Sequence, residues 1–348
     1  MKRRKSIAGA LSVACSLAIA ALWLCRAPVA AAFDNQHWGS NYFPNVELTT
    51  QDGKKVKLYD DLIRNKIVVV DLIYTHCVDA CPLETARLAQ VQKLLGDSMG
   101  KDIFFYSITI DPKRDTPEAL KAYADKYHAG PGWLFLTGKK DDIELVSKKL
   151  GLYSEPDPND RDGHTPSVVV GNERTGQWMR NSATDNPRFL AMLIGDWLNN
   201  WKYSASGNTK QQTYENARPI KLEAGQYIFS THCAACHTVG HGDKIGPDLM
   251  GVTSARERKW LLRFIQEPDK VLDEKDPTAI ALFRRYKEVR MPNLRVHTVD
   301  AEQILNYIAR QSAKATDDKQ SRGAVASTRN TSGQGATGGL SRSISANK

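Results

Sequence analysis

Two tight cysteine pairs, Cys77/Cys81 and Cys233/Cys236, hold most of the chemistry available to this 348-residue chain. A disulfide framework scatters cysteines through a sequence, whereas two isolated pairs read as two chemical sites, one per domain. Cys15 and Cys25 stand apart from both, in an apolar N-terminal stretch.

The second pair belongs to Cys233-Ala234-Ala235-Cys236-His237. This is the spacing of covalent haem attachment. Two thiols one helical turn apart add to the two vinyl groups of one porphyrin, and His237 is carried onto the iron axis. A chance disulfide or half a zinc site are the alternatives. Zinc needs two more ligands at metal spacing, and His241 and His297 fit no such motif.

The first pair, Cys77-Val78-Asp79-Ala80-Cys81-Pro82, follows an apolar run and opens a helical pattern. A helix N-terminus favours thiolate through its partial positive charge and free N–H groups. Both cysteines are thus set for redox chemistry or for a soft metal. The three-residue spacing lets both sulfurs face one ion. Sulfur favours Cu(I), and added imidazole favours Cu(II).

Elements must position these groups. Ile67–Tyr74 and Ile103–Ile110 read as buried strands, as do the shorter runs Trp133–Leu136 and Ser167–Val170. Pro82–Leu95 has helical spacing, with Leu83, Leu88, Val91 and Leu94/Leu95 on one face. Thr116 caps a further helix that has Pro117 in its first turn. Strands alternating with helices indicate an α/β sheet over residues 33–201. Residues 202–219 are polar and read as a linker. Residues 220–312 are helical without a convincing strand, and Ser254 with Glu257 suggests a capping box. Residues 313–348 lack large apolar side chains and read as disordered.

Residues 1–32 carry five bases and no acid: four at positions 2–5 precede an apolar run from Ile7 to Leu24, and Ala30-Ala31-Ala32 then offers a small-residue cleavage site before Phe33. That is an export signal, or a retained membrane anchor, and it implies an oxidising compartment. The net charge of +9 resides in this segment and the tail, so residues 33–312 are neutral overall. No nucleic-acid partner is implied.

Two resemblances follow from these motifs. Tyr74-Thr75-His76-Cys77 through Cys81-Pro82, with Thr109-Ile110-Asp111-Pro112-Lys113-Arg114-Asp115-Thr116-Pro117-Glu118, resembles the Sco/SenC family of copper proteins. That resemblance implies a thioredoxin-like fold and one copper held by Cys77, Cys81 and His164 of Asp162-Gly163-His164-Thr165-Pro166. Pro166 would hold the place of a cis proline opposite the cysteines. Strand alternation turns His76 away from Cys77, leaving it a supporting position. Asp111 and Asp115 would be a docking or structural pair or simply solvated loop charges, and the sequence leaves their role open. The C-terminal segment, with Gly246-Pro247-Asp248-Leu249 and Arg290-Met291-Pro292, resembles class I cytochrome c. That resemblance implies one covalent haem on Cys233 and Cys236, with His237 and Met291 as iron ligands. The Pro247 carbonyl would orient His237, Met250 would be packing, and helices around Gly225 and Tyr307 would cross.

The two resemblances together imply an exported accessory factor rather than a turnover enzyme. Its partners would be a respiratory oxidase copper-centre subunit or another copper client, and an electron-transfer partner. Thiol–disulfide exchange on a client protein and plain electron transfer are the competing readings.

Overall fold

The computed structural model describes residues 38–78, 80–153, 166–199 and 222–331, which all fall within one compact unit, Trp38–Lys348. The expectations for the export segment, the linker, His164 and residues 332–348 lie outside the described residues. So does Thr165, with which the peptide bond into Pro166 begins.

A short hairpin, β1 (Glu47–Thr50) and β2 (Lys55–Lys57), leads to β3 (Ile67–Ile73) and α1 (Ala80–Leu95). Next come β4 (Ile103–Thr109), α2 (Pro117–Lys126), β5 (Trp133–Gly138), α3 (Lys140–Lys149), β6 (Ser167–Asn172), β7 (Gln177–Ser182) and α4 (Pro187–Met192). The seven strands form one sheet in the order β2-β1-β5-β4-β3-β6-β7. The central β3–β4–β5 pairings are parallel and the outer ones antiparallel. This is a thioredoxin-like α/β domain.

The apolar run of β3 is buried on both faces because the sheet is covered on both faces. Ile67, Val69 and Ile73 pack with α1 and α2, while Val68, Val70 and Leu72 pack with α3. Thr116 caps α2 by accepting from the Ala119 N–H at 3.3 Å, with Pro117 first in the helix. Two details of the sequence reading need correction. Leu94 is exposed and Leu95 takes the inward position. The sheet also gains β1, β2 and β7, whose short or polar sequences carry too little alternation to read as strands.

Among its described residues the C-terminal segment is built from helices joined by irregular loops, with one isolated bridge, Thr238 to Asp248. It comprises α5 (Ala224–Ile228), α6 (Val252–Ala255), α7 (Arg258–Gln266), α8 (Pro268–Asp273), α9 (Pro277–Arg285) and α10 (Thr298–Thr331). A wider helical turn, Phe229–Cys233, extends α5 to the first haem-motif cysteine. The expected crossing is present. A Cβ on Gly225 would stand 2.1 Å from the Gln303 carbonyl oxygen, so only glycine lets α5 and α10 approach this closely. The Ser254/Glu257 capping box is not formed. Ser254 lies inside α6, and Glu257 occupies the N-cap of α7 without a side-chain bond. Helix α10 also runs on to Thr331, so residues 313–331 are helical rather than disordered. Ala, Lys, Gln and Arg are good helix formers, and the stretch prolongs a helix already nucleated by packing.

Candidate functional site: a thiol pair packed against a haem-attachment cavity

Strand β3 ends at Ile73, and the chain turns into the first cysteine, with the Cys77 N–H donating to the Tyr74 carbonyl at 3.2 Å. Asp115 secures this loop. It is fully buried and accepts from the Thr75 N–H at 3.1 Å, from the Thr75 hydroxyl at 2.6 Å and from the Thr109 hydroxyl. Its role is therefore to tie the loop to the end of β4. Asp111 instead faces His76. The Arg114 guanidinium donates to His76 Nε2 at 2.9 Å, and Asp111 Oδ2 lies 3.5 Å from that nitrogen.

The structure holds Cys77 and Cys81 as thiols, 5% and 0% exposed. Burial pushes the Cys81 thiol well up, and neighbouring Cys77 and Glu84 add to this. The expected helix-terminus stabilisation of thiolate is overridden, because desolvation disfavours charge more than the first turn of α1 favours it. A bound cation would reverse that balance. Behind the pair, the Thr85 hydroxyl donates to the Cys81 carbonyl at 2.8 Å and lies 3.0 Å from the Tyr123 hydroxyl. Among the described residues, no group of three or more His, Cys, Asp or Glu side chains is placed to hold a metal. The pair thus supplies two sulfur donors.

The haem motif forms one helical turn, with the His237 N–H donating to the Cys233 carbonyl at 2.9 Å. His237 Nδ1 bonds the Pro247 carbonyl at 2.9 Å, which fixes the ring and leaves Nε2 as the nitrogen that would ligate a haem iron. Burial lowers the His237 pKa, keeping the imidazole neutral as a ligand must be. Gly246 is the floor beneath this ring. A Cβ there would stand 2.7 Å from His237 Cε1. Burial pushes Cys233 and Cys236 up to about 12, so both are neutral sulfurs.

These residues open onto a cavity of about 410 Å³, lined by Cys233, Cys236, His237 and Met291 with apolar side chains such as Leu261 and Phe264. Volume, apolar lining, a neutral oriented imidazole and a methionine together fit a haem. Met250 also lines this cavity. Its sulfur, however, lies 3.4 Å from where a Cβ on Gly240 would stand, next to the proximal loop, and is used in packing.

The structure joins the two sites through contacts that no motif marks. Arg87, 3% exposed on α1, donates to the Thr231 carbonyl at 2.7 Å. Gln90 donates to the Ala234 carbonyl at 2.9 Å, as does Lys244. These carbonyls end a helical segment and lack helical partners, and cationic donors there are favourable. Ala235 sits in the same apolar cluster as α1, with Cys236, Ile245, Val289 and Leu294 packed against it. Leu83 of α1 lines the haem cavity. On the methionine side, the Asn293 N–H donates to the Val78 carbonyl at 3.1 Å. In sequence, Glu84, Arg87 and Gln90 look like an ordinary solvated helix face.

Comparison with known proteins agrees with this division. The family model for SCO1/SenC matches residues 35–189, and that for cytochrome c matches residues 222–312. An SCO2-like protein of Rickettsia prowazekii (strain Madrid E) is 30% identical over 144 residues, 40% of this chain and 68% of that protein. An SCO1 homolog of Bacillus subtilis (strain 168) is 32% identical over 34% of this chain and 63% of its own length. The mitochondrial SCO1 homolog of Homo sapiens is 32% identical over 33% of this chain and 37% of its own length. The crystal structure of a SCO1/SenC family lipoprotein from Bacillus anthracis str. Ames covers 47% of this chain and 96% of its own at 27% identity, with a TM-score of 0.41. Sequence motif, sheet, haem cavity and matched relatives agree: this chain belongs to the SCO1/SenC family, with a cytochrome c domain fused behind the Sco domain.

Proposed function

We propose that this protein is an exported copper-handling redox factor that carries one covalent haem and serves the assembly or redox maturation of a respiratory oxidase copper centre. The observation that carries this reading is the burial of both cysteines beside a haem cavity within one packed body. Thiol–disulfide exchange on a client protein needs an accessible sulfur. Sulfurs 5% and 0% exposed suit a small ion better than a protein disulfide. The ligand set is Cys77, Cys81 and His164 for copper, with sulfur donors favouring Cu(I). Cys233 and Cys236 hold the haem, and His237 and Met291 ligate its iron. When bound, the haem supplies a one-electron redox centre, which matches a Cu(II)/Cu(I) change in stoichiometry. The basic and apolar segment 1–32 supports export to a periplasm-type compartment.

Metal and haem analysis of the purified mature protein, with visible spectra in both redox states, tests the reading. One haem per chain and copper titration saturating at one equivalent are expected. His164→Ala should weaken copper binding at least about tenfold, the loss that removing even a supporting partner of a metal ligand brings. Unchanged affinity removes His164 from the site. Reversible thiol chemistry on a client with no metal retained would replace the copper reading with thiol–disulfide exchange.

A further inference from the structure

We propose that the Val78–Asn293 hydrogen bond couples the cysteine pair to the loop bearing Met291, so that joining Cys77 to Cys81 loosens the hold of Met291 on the haem. The inference rests on the haem reading above and on Met291 as the iron ligand.

Val78 follows Cys77 directly, and its carbonyl accepts from the Asn293 N–H at 3.1 Å. Asn293 stands two residues beyond Met291, with buried Pro292 between them. The ring of Pro292 fixes its own φ and restricts Met291 before it, so the backbone from Met291 to Asn293 has little slack. Pro292 has no N–H, which makes Asn293 the first donor past the methionine. The other anchor of this loop is in its own domain. Asn293 Nδ2 donates to Asp269 Oδ1 on α8 at 2.8 Å, and Asn293 Oδ1 accepts from the Arg295 N–H at 3.1 Å. Met291 is therefore held between α8 and the cysteine loop of the other domain.

The cysteine loop has one fixed end at Thr75, bound by Asp115, and another at α1, locked by Arg87 and Gln90 onto the haem-motif carbonyls. Adjustment between those ends falls on the stretch containing Val78. Joining the sulfurs draws Cys77 toward Cys81 and moves the next residue, Val78, away from the position that satisfies Asn293. The step removes two electrons and two protons from two neutral thiols. Diamide accepts all four and becomes the hydrazine. No net charge appears near the haem, so the coupling is mechanical, and linkage makes it reciprocal.

The test uses the full-length holoprotein with its haem kept ferrous by ascorbate. Carbon monoxide then competes with Met291 for the iron. Its affinity is measured with Cys77 and Cys81 as dithiol and after diamide oxidation. Coupled sites typically change affinity about 5- to 150-fold. We expect carbon monoxide to bind at least about fivefold more tightly to the disulfide form. Asn293→Ala keeps the N–H and should keep this gap. Asn293→Pro removes the N–H and should close it. Equal affinities in the two wild-type forms overturn the coupling without any variant, and so does a gap that survives in Asn293→Pro. Met291→Ala should bind carbon monoxide more tightly than wild type and equally in both forms. If it matches the wild type instead, Met291 is not the ligand, and that assignment falls together with the coupling while the haem on Cys233 and Cys236 stands.

Discussion

Met291 and Met250 line one cavity, yet their surroundings assign them different work. Met291 precedes buried Pro292 and the anchored Asn293, whereas the Met250 sulfur fills space beside Gly240. Met291→Ala should therefore abolish the weak near-infrared charge-transfer band of methionine-ligated ferric haem. Met250→Ala should keep that band and cost stability instead, at most about 2 kcal/mol because its side chain is only partly buried. Near-infrared absorbance and thermal unfolding of both variants check the pair, and a band lost in Met250→Ala but kept in Met291→Ala reverses the assignment. At this scale the haem residues were legible because their chemistry is local. Cys233, Cys236, His237 and the Pro247 carbonyl fall within one short stretch, and the His237–Pro247 bond forms as the motif implies. The state of Cys81 was not legible. A helix start can be read from sequence, but the desolvation that outweighs it depends on which distant residues cover the thiol.

At the scale of elements, α1 explains both the success and the shortfall of the pattern reading. Its position was plain from Leu83, Leu88 and Val91. Its second function was not. Residues Cys81 to Leu88 are all buried, including Glu84 and Arg87, because one face meets the sheet and the other meets the cytochrome domain. A helix covered on two sides loses the one-sided pattern by which amphipathic helices are recognised. Edge strands fail for the opposite reason: β7 is mostly polar and half-exposed, and its strand state comes from pairing with β6. The two-faced role of α1 sets a cost for cutting its links. Arg87→Ala removes a charged donor from the half-buried Thr231 carbonyl, a loss of about 1–3 kcal/mol. Denaturant unfolding should show this as a lower midpoint, larger than that of Lys93→Ala on the same helix. Equal midpoints for the two variants would make the Arg87 contact energetically idle.

For the whole molecule, the packing of the two domains decides how electrons travel. Two domains joined by a linker and nothing else would meet only in transient encounters, with effective concentrations set by linker length. The shared apolar cluster, the Arg87 and Gln90 bonds and the Val78–Asn293 bond replace encounter with standing contact. Direction follows from the ligands proposed for the haem. Methionine/histidine ligation raises haem potential, whereas protein dithiol couples lie at about −120 to −270 mV. Such a haem is a poor reductant for a disulfide and a good acceptor from Cu(I). One Cu(I) loses one electron and one ferric haem gains it, so the exchange balances without a third party. Cu(I) bound at the cysteine site of the oxidised protein should thus reduce the haem of the same chain. Stopped-flow absorbance, with the copper-loading step kept faster than the haem signal, should give one rate constant across a roughly tenfold dilution. A rate that scales with protein concentration would assign the electron to a second molecule. A haem left ferric by stoichiometric Cu(I) would mean that the contact between the domains serves structure alone.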